Sequence, residues 1–77
     1  MTWSKRDWNN AVECLRQARR RHGHEAECLR FRAIGLAQSC LLSRVISVGT
    51  YVRFARVASV APSRRVIAEL KQRVEVN

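Results

Sequence analysis

The sequence is poor in the residues that would point to most functional classes. Its 77 residues include one proline, three glycines, two tryptophans, one tyrosine, two phenylalanines and a single aspartate, Asp7. A chain of this size forms one domain and buries only about 60% of the surface that its unfolded state exposes. We therefore predict a single small domain over residues 1–77, for which pairing with a second copy would be an added source of stability.

Cysteine usage and hydropathy do not indicate a secreted or membrane protein. The three cysteines form no paired framework, and no apolar core of a signal peptide follows the polar stretch from Trp3 to Val12. Only eleven residues separate Arg32 from Arg44 in the most apolar stretch, whereas a bilayer requires roughly 20 apolar residues. We predict a reducing, cytoplasmic location and no membrane partner.

Reactive residues are too few and too poorly spaced to predict catalysis or a metal centre. No carboxylate pair or Gly-rich phosphate loop accompanies the two histidines. Four residues of zinc-ligand type lie within fifteen positions: Cys14, His22, His24 and Cys28. Their spacing matches no zinc finger, ribbon or knuckle, and only His24 and Cys28 share a helix face. We predict a non-enzyme without metal or cofactor, with the cysteines as small buried apolar residues.

Positive charge is what the sequence has in excess. Fifteen Lys and Arg stand against six Asp and Glu, a formal net charge of +9, and all but two of the fifteen are arginine. Such a charge attracts nucleic acid, an acidic membrane surface or an acidic protein patch, and arginine favours bidentate contacts to phosphate, guanine or carboxylate. A GC-rich coding sequence could explain arginine in place of lysine, but not the excess of bases over acids.

The longest stretch with helical periodicity runs from Glu25 to Val48, and we predict that the domain is built around it. At about 100° per residue, its apolar side chains fall on one broad arc that should face the core. The arc consists of Phe31, Ile34, Ala37, Leu41, Leu42, Val45 and Val48. Leu29, Leu36 and Cys40 lie beyond it, so contacts on more than one side are expected.

A first helix is predicted over about Lys5 to His22, with Ser4 as its N-cap, Asp7 as the capping-box acid and Gly23 as the C′ residue. Trp3 and Trp8 then occupy the two positions of a hydrophobic staple, although tryptophans can also stack on bases. The apolar face of this helix comprises Trp8, Ala11, Val12, Leu15 and Ala18.

The chain after Val48 allows two interpretations. Gly49 can end the long helix and Thr50 can cap the next, which places Tyr51, Phe54, Ala58 and Ala61 on one face. Alternatively, the β-branched residues around Gly49-Thr50 suit a short hairpin near residues 44–56. We favour the helix, because the alanines suit it and the alternation of polar residues is imperfect.

A last helix should follow Pro62, with Ser63 as its cap and Val74 near its end. Arg64 and Arg65 in its first turn oppose the helix dipole, a local conflict of the kind found where function requires it. Residues 51–58 and 63–74 could form a helix-turn-helix, but Arg65 stands where that motif usually has an apolar residue. A looser contact of Arg64 and Arg65 with phosphate is the simpler prediction.

These patterns predict an all-α fold, a compact bundle of three or four helices around the long central helix, with α+β as the alternative if the hairpin forms. The function predicted first is nucleic-acid binding by a small basic regulator or accessory factor. The alternative is a helical adaptor or inhibitor that binds an acidic protein surface; a subunit that is incomplete alone is a third possibility. The candidate contact residues are Arg16, Arg19, Arg20, Arg21, Arg53, Arg56, Arg64 and Arg65.

Overall fold

The computed structural model of the protein describes residues 2–60 and 63–73, with side chains from Lys5 onward. Over these residues the chain forms four α-helices and no strand: α1 (Thr2–Ala18), α2 (Gly23–Leu42), α3 (Val48–Ala58) and α4 (Arg64–Lys71). The predicted all-α bundle is confirmed. The alternative hairpin near residues 44–56 is wrong, because Gly49 and Thr50 lie inside α3.

The predicted start of the first helix is wrong. Because α1 begins at Thr2, Ser4 lies within the helix and Asp7 is too far from its start to complete a capping box. Trp3 also lies inside α1 rather than before it, and its side chain falls outside the described part of the chain. The apolar face is confirmed, since Trp8, Ala11, Val12, Leu15 and Ala18 are all buried.

The first helix also ends earlier than predicted, at Ala18 instead of His22. The amides of Arg20 and Arg21 bond the carbonyls of Gln17 and Ala18, three residues back, at 2.9 and 3.3 Å. Hydrogen bonds to the third residue back are of the 3₁₀ type, which winds more tightly than an α-helix, so the α-helix ends here. Gly23 has a φ of 60°, the left-handed conformation expected of it, but it opens α2 rather than closing α1.

The predicted central helix is shorter than expected because a Schellman motif stops it. The amide of Val45 bonds the carbonyl of Cys40 at 2.9 Å, and the amide of Arg44 bonds that of Leu41 at 3.0 Å. Arg44 occupies the left-handed C′ position, with a φ of 61°, where glycine is usual. Val45 and Cys40 are both buried, which supplies the hydrophobic contact that accompanies the motif.

The predicted apolar arc is confirmed only in part: Ala37 and Val45 are buried, and Ile34 and Leu41 pack against the core. The buried residues of α2 are small: Ala26, Ala33, Ala37 and Cys40. Phe31 and Leu42, assigned to the core, are 66% and 84% exposed. Small side chains allow α2 to approach α1, its most extensive neighbour, and the large Trp8 and Leu15 of α1 belong to the same buried cluster.

The cap of α3 is Ser47 rather than Thr50. The Ser47 hydroxyl oxygen accepts a hydrogen bond from the Thr50 amide at 3.2 Å and lies 3.1 Å from the Thr50 hydroxyl. Phe54 and Ala58 are buried and Tyr51 is half-buried, so the predicted face of this helix is confirmed as far as Ala58. Val48 is 65% exposed because it begins α3 instead of continuing the long helix.

The predicted cap of the last helix is confirmed, since Ser63 accepts a hydrogen bond from the Val66 amide at 3.3 Å. Ile67 and Leu70 are buried, and the helix ends at Lys71, earlier than predicted; Val74 lies outside the described residues. The Trp8 indole N–H donates a buried hydrogen bond to the Leu70 carbonyl at 3.0 Å. The Trp8 ring also lies 5.1 Å from that of Phe54, so one side chain joins α1, α3 and α4.

The two phenylalanines should respond oppositely to truncation. Phe54→Ala removes a side chain that is 0% exposed and leaves a cavity against Trp8, so the free energy of unfolding should fall by about 3–5 kcal/mol. Phe31→Ala, at a 66% exposed position, should change it by less than about 0.5 kcal/mol. Urea denaturation followed by circular dichroism measures both. Equal losses in the two variants would contradict the described core.

Replacing Arg44 by glycine should stabilise the fold. A side chain in the left-handed region costs roughly 1–2 kcal/mol, and part of the gain is offset by the greater freedom of glycine in the unfolded chain. We expect Arg44→Gly to raise the free energy of unfolding by about 0.5–1 kcal/mol. Arg44→Ala is the matched control, because it removes the same charge but keeps the Cβ atom, and it should show no such gain.

Candidate arginine-lined binding site

Four arginines from two helices and a turn converge on one cleft. Arg16, near the end of α1, Arg19 and Arg20, in the turn that follows, and Arg64, at the start of α4, line a cavity of about 460 Å³ together with Ile67. We call this site the arginine cleft. It contains four of the eight arginines predicted as contacts.

Packing in the core places these arginines together. Trp8 of α1 bonds the Leu70 carbonyl near the end of α4, whereas the later part of α1 shares the cleft with Arg64 and Ile67 at the beginning of α4. The two helices therefore run in opposite directions. That arrangement brings the basic end of α1 to the N-terminal end of α4, where helix amide groups favour negative charge.

Most of the charge in the arginine cleft is not neutralised by neighbouring acids. Arg16 bonds Glu13 Oε1 at 2.8 Å. Among the described residues, Arg19, Arg20 and Arg64 form no ion pair, and all three are exposed. Guanidinium groups so close together repel one another, and an oxyanion bound between them would offset that repulsion. The cleft is therefore suited to a compact anionic group.

The other four predicted contact residues lie elsewhere. Arg21 pairs with Glu25 at 3.7 Å. Arg53 Nε lies 2.9 Å from Glu69 Oε1, although not in line for a hydrogen bond. This pair joins α3 to α4, so Arg53 has a structural contact of its own. Arg56 and Arg65 are exposed and do not line the cleft.

The helices of the predicted helix-turn-helix are present, but α4 has another main neighbour. The bounds of α3 and α4 agree with the expected pair only in part, because α3 begins at Val48 and α4 ends at Lys71. α4 packs mainly on α1, however, whereas the two helices of that motif pack on each other. Of the two arginines in the first turn of α4, Arg64 lines the arginine cleft and Arg65 does not.

The three cysteines occupy three different environments, so the prediction that all are buried is wrong. Cys40 is 1% exposed, and burial, with a smaller effect of the Asp7 charge, raises its pKa to about 11. Burial also raises the pKa of the half-buried Cys14, against an opposing effect of Arg32. Cys28 is exposed, with its Sγ atom 3.4 Å from His24 Nε2.

The described residues contain neither a cluster of potential metal ligands nor a membrane-spanning helix. No three His, Cys, Asp or Glu side chains gather where they could hold a metal ion. None of the described helices is both long and apolar enough to cross a membrane.

Comparisons of the chain with protein-family models, curated proteins and solved structures give no significant match. The interpretation of the arginine cleft therefore depends on its geometry and charge alone.

Sequence reasoning identified the arginines of the cleft but not their grouping. Arg16, Arg19 and Arg20 lie within two turns of one segment, so their proximity follows from helical spacing. Arg64 joins them only because Ile67 and Leu70 dock on α1, and no local pattern specifies that partner. One contact of the site could have been predicted from the sequence, because Glu13 and Arg16 have the i,i+3 spacing of an ion pair on a helix.

The thiols should react with an alkylating reagent in the order of their exposure. In native protein near about pH 8, iodoacetamide should modify Cys28 first and Cys14 slowly, because the thiolate is the reactive form and burial disfavours it. Cys40, with a pKa raised to about 11, should remain unmodified. Peptide mapping by mass spectrometry measures each rate. In concentrated urea all three rates should become similar; native modification of Cys40 as fast as that of Cys28 would contradict the fold.

Proposed function

We propose that the protein is a small nucleic-acid-binding factor, a regulator or an accessory protein, that holds backbone phosphates in the arginine cleft. The single observation that carries the proposal is the convergence of Arg16, Arg19, Arg20 and Arg64 on one concave site. Three of these guanidinium groups have no acidic partner among the described residues. The proposed role is binding rather than catalysis.

Two physical features favour phosphate as the bound group. Arginine presents a planar fork of N–H donors that matches phosphate oxygens, and it keeps its charge at any physiological pH. The net charge of +9 would also attract a polyanion over long distances at low salt. The exposed Arg56, which lies outside the cleft, would extend the contact along a backbone.

The size of the cleft limits how many phosphates it can neutralise. The logarithm of affinity for duplex DNA falls with the logarithm of salt concentration with a slope of about −0.9 per phosphate contacted. An upper limit of one phosphate for each of the four cleft arginines gives a slope of about −3.6, or an affinity loss of roughly 100-fold between about 50 and 200 mM salt. Participation of all eight predicted arginines would double the slope.

A second candidate function is docking on an acidic protein surface, as an adaptor or inhibitor. It is favoured by the large apolar side chains that remain exposed, among them Phe31, Leu42, Val48 and Val52. Exposed apolar groups rimmed by charge are typical of protein interfaces. The same side chains would serve pairing with a second copy, so we include a homodimer in the proposal.

The proposed location is the cytoplasm. The three cysteines of the sequence form no paired framework, which is typical of proteins of reducing compartments. Cys40 lies at the interface of α2 with the core, where a bulky oxidation product would disturb the packing.

The test compares two adjacent arginines. Fluorescence anisotropy of labelled duplex DNA, single-stranded DNA and RNA, between about 50 and 200 mM salt, gives the affinity and its salt slope. Arg64→Gln should weaken binding and reduce the slope by about 1. Arg65→Gln removes the same charge one residue away and outside the cleft, so it should leave the slope nearly unchanged.

Equal effects of the two substitutions would indicate attraction by net charge and would remove the cleft from the proposal. Weak binding to all three nucleic acids, unchanged by Arg64→Gln, would contradict nucleic-acid binding itself. In that case the acidic-surface alternative predicts that Phe31→Ser, at an exposed position, abolishes partner binding without loss of stability.

A further inference from the structure

A histidine and a cysteine form a close pair on the outer surface of α2, away from the arginine cleft. His24 and Cys28 are both exposed, and Cys28 Sγ lies 3.4 Å from His24 Nε2. The pair lines a shallow groove with Gln17, Arg21 and Leu29. The distance is within the range of a hydrogen bond to sulfur, and the i,i+4 spacing on the helix brings the two side chains together.

The spacing of the two atoms fits the bonds of a thiophilic metal ion. Zinc bonds cysteine sulfur at about 2.3 Å and histidine nitrogen at about 2.0–2.1 Å. With the two ligand atoms 3.4 Å apart, those bond lengths close a triangle whose angle at the metal is about 103°, near the tetrahedral value. A helix holds residues i and i+4 on one face, so no backbone movement is needed.

The local charges permit a cation here despite the net positive charge of the chain. Arg21 is the basic side chain of the groove, and its guanidinium is paired with Glu25 at 3.7 Å. Metal binding also converts the thiol to a thiolate and releases its proton, which adds a negative charge at the site. Contributions from more distant arginines are reduced by salt.

The geometry points to a bidentate site for a divalent thiophilic metal ion, Zn²⁺ or an ion of its class, ligated by Cys28 Sγ and His24 Nε2. The described residues of one chain offer no third ligand at this place. The remaining two coordination positions are therefore filled from outside the chain, by water or by the same pair of a second copy. A site of this kind is weaker and more exchangeable than a four-ligand structural centre.

The experiment is titration of the full chain, under reducing conditions free of chelating thiols, with Co²⁺ and Cd²⁺, whose bonds to thiolate give charge-transfer absorption in the near and far ultraviolet respectively. We expect a saturable thiolate band in the wild type that Zn²⁺ displaces. A stoichiometry of one metal per chain indicates water in the open positions, and one per two chains indicates completion by a second copy; both support the site.

Matched substitutions decide whether the pair is the ligand set. Cys28→Ser should abolish the band, and His24→Asn should weaken binding by at least about 10-fold, since loss even of an outer-shell partner can cost that much. The controls are Cys14→Ser and His22→Asn, which remove the same residue types nearby and should change neither band nor affinity. Wild type without a band, or a band and affinity unchanged in His24→Asn, would overturn the proposal.

Discussion

The fold depends on the burial of Trp8. Its indole ring packs against Phe54 of α3 and its N–H bonds the Leu70 carbonyl of α4, although these partners lie far along the chain. A buried indole N–H without a partner would be costly, so the carbonyl near the end of α4 specifies where that short helix docks. Eight residues form only a marginal helix alone. The contact with Trp8 is therefore what gives α4 a fixed position.

Placement of α4 in turn decides where positive charge accumulates. Because α4 runs opposite to α1, Arg64 meets the basic segment that ends α1. The contact of Trp8 with Leu70 holds α1 and α4 together at one end of their interface, and their arginines repel one another at the other end. The Arg53–Glu69 ion pair, with Arg73 also near that carboxylate at 3.4 Å, removes positive charge from the other side of α4. Partly exposed pairs of this kind contribute little stability, and neither of them involves the cleft arginines Arg19, Arg20 and Arg64.

Local signals predicted some features and failed at others: the caps expected at Ser4 and Thr50 are wrong, and so is the burial expected of Phe31. The cap at Ser63 and the buried face of α1 depend on residues within a turn or two of each other, and both were predicted. In α2 the large residues around Phe31 and the small ones around Ala33 each follow the helical period, so periodicity cannot choose between them. Which of the two faces of α2 is buried depends on how closely α1 can approach it. The grouping of Arg64 with Arg16 likewise required knowledge of a distant packing partner.

The inverted size pattern of α2 has a consequence for sequence variation. Its alanines at 33 and 37 are fully buried against α1, where even one added methylene must displace a neighbouring helix. Phe31 and Leu42 face solvent and can change with little effect on the fold. These two exposed positions should therefore tolerate substitution better than the buried alanines of the same helix. Variants in which valine replaces a buried alanine of α2 should therefore be rare among natural sequences, although the change is hydrophobic and conservative.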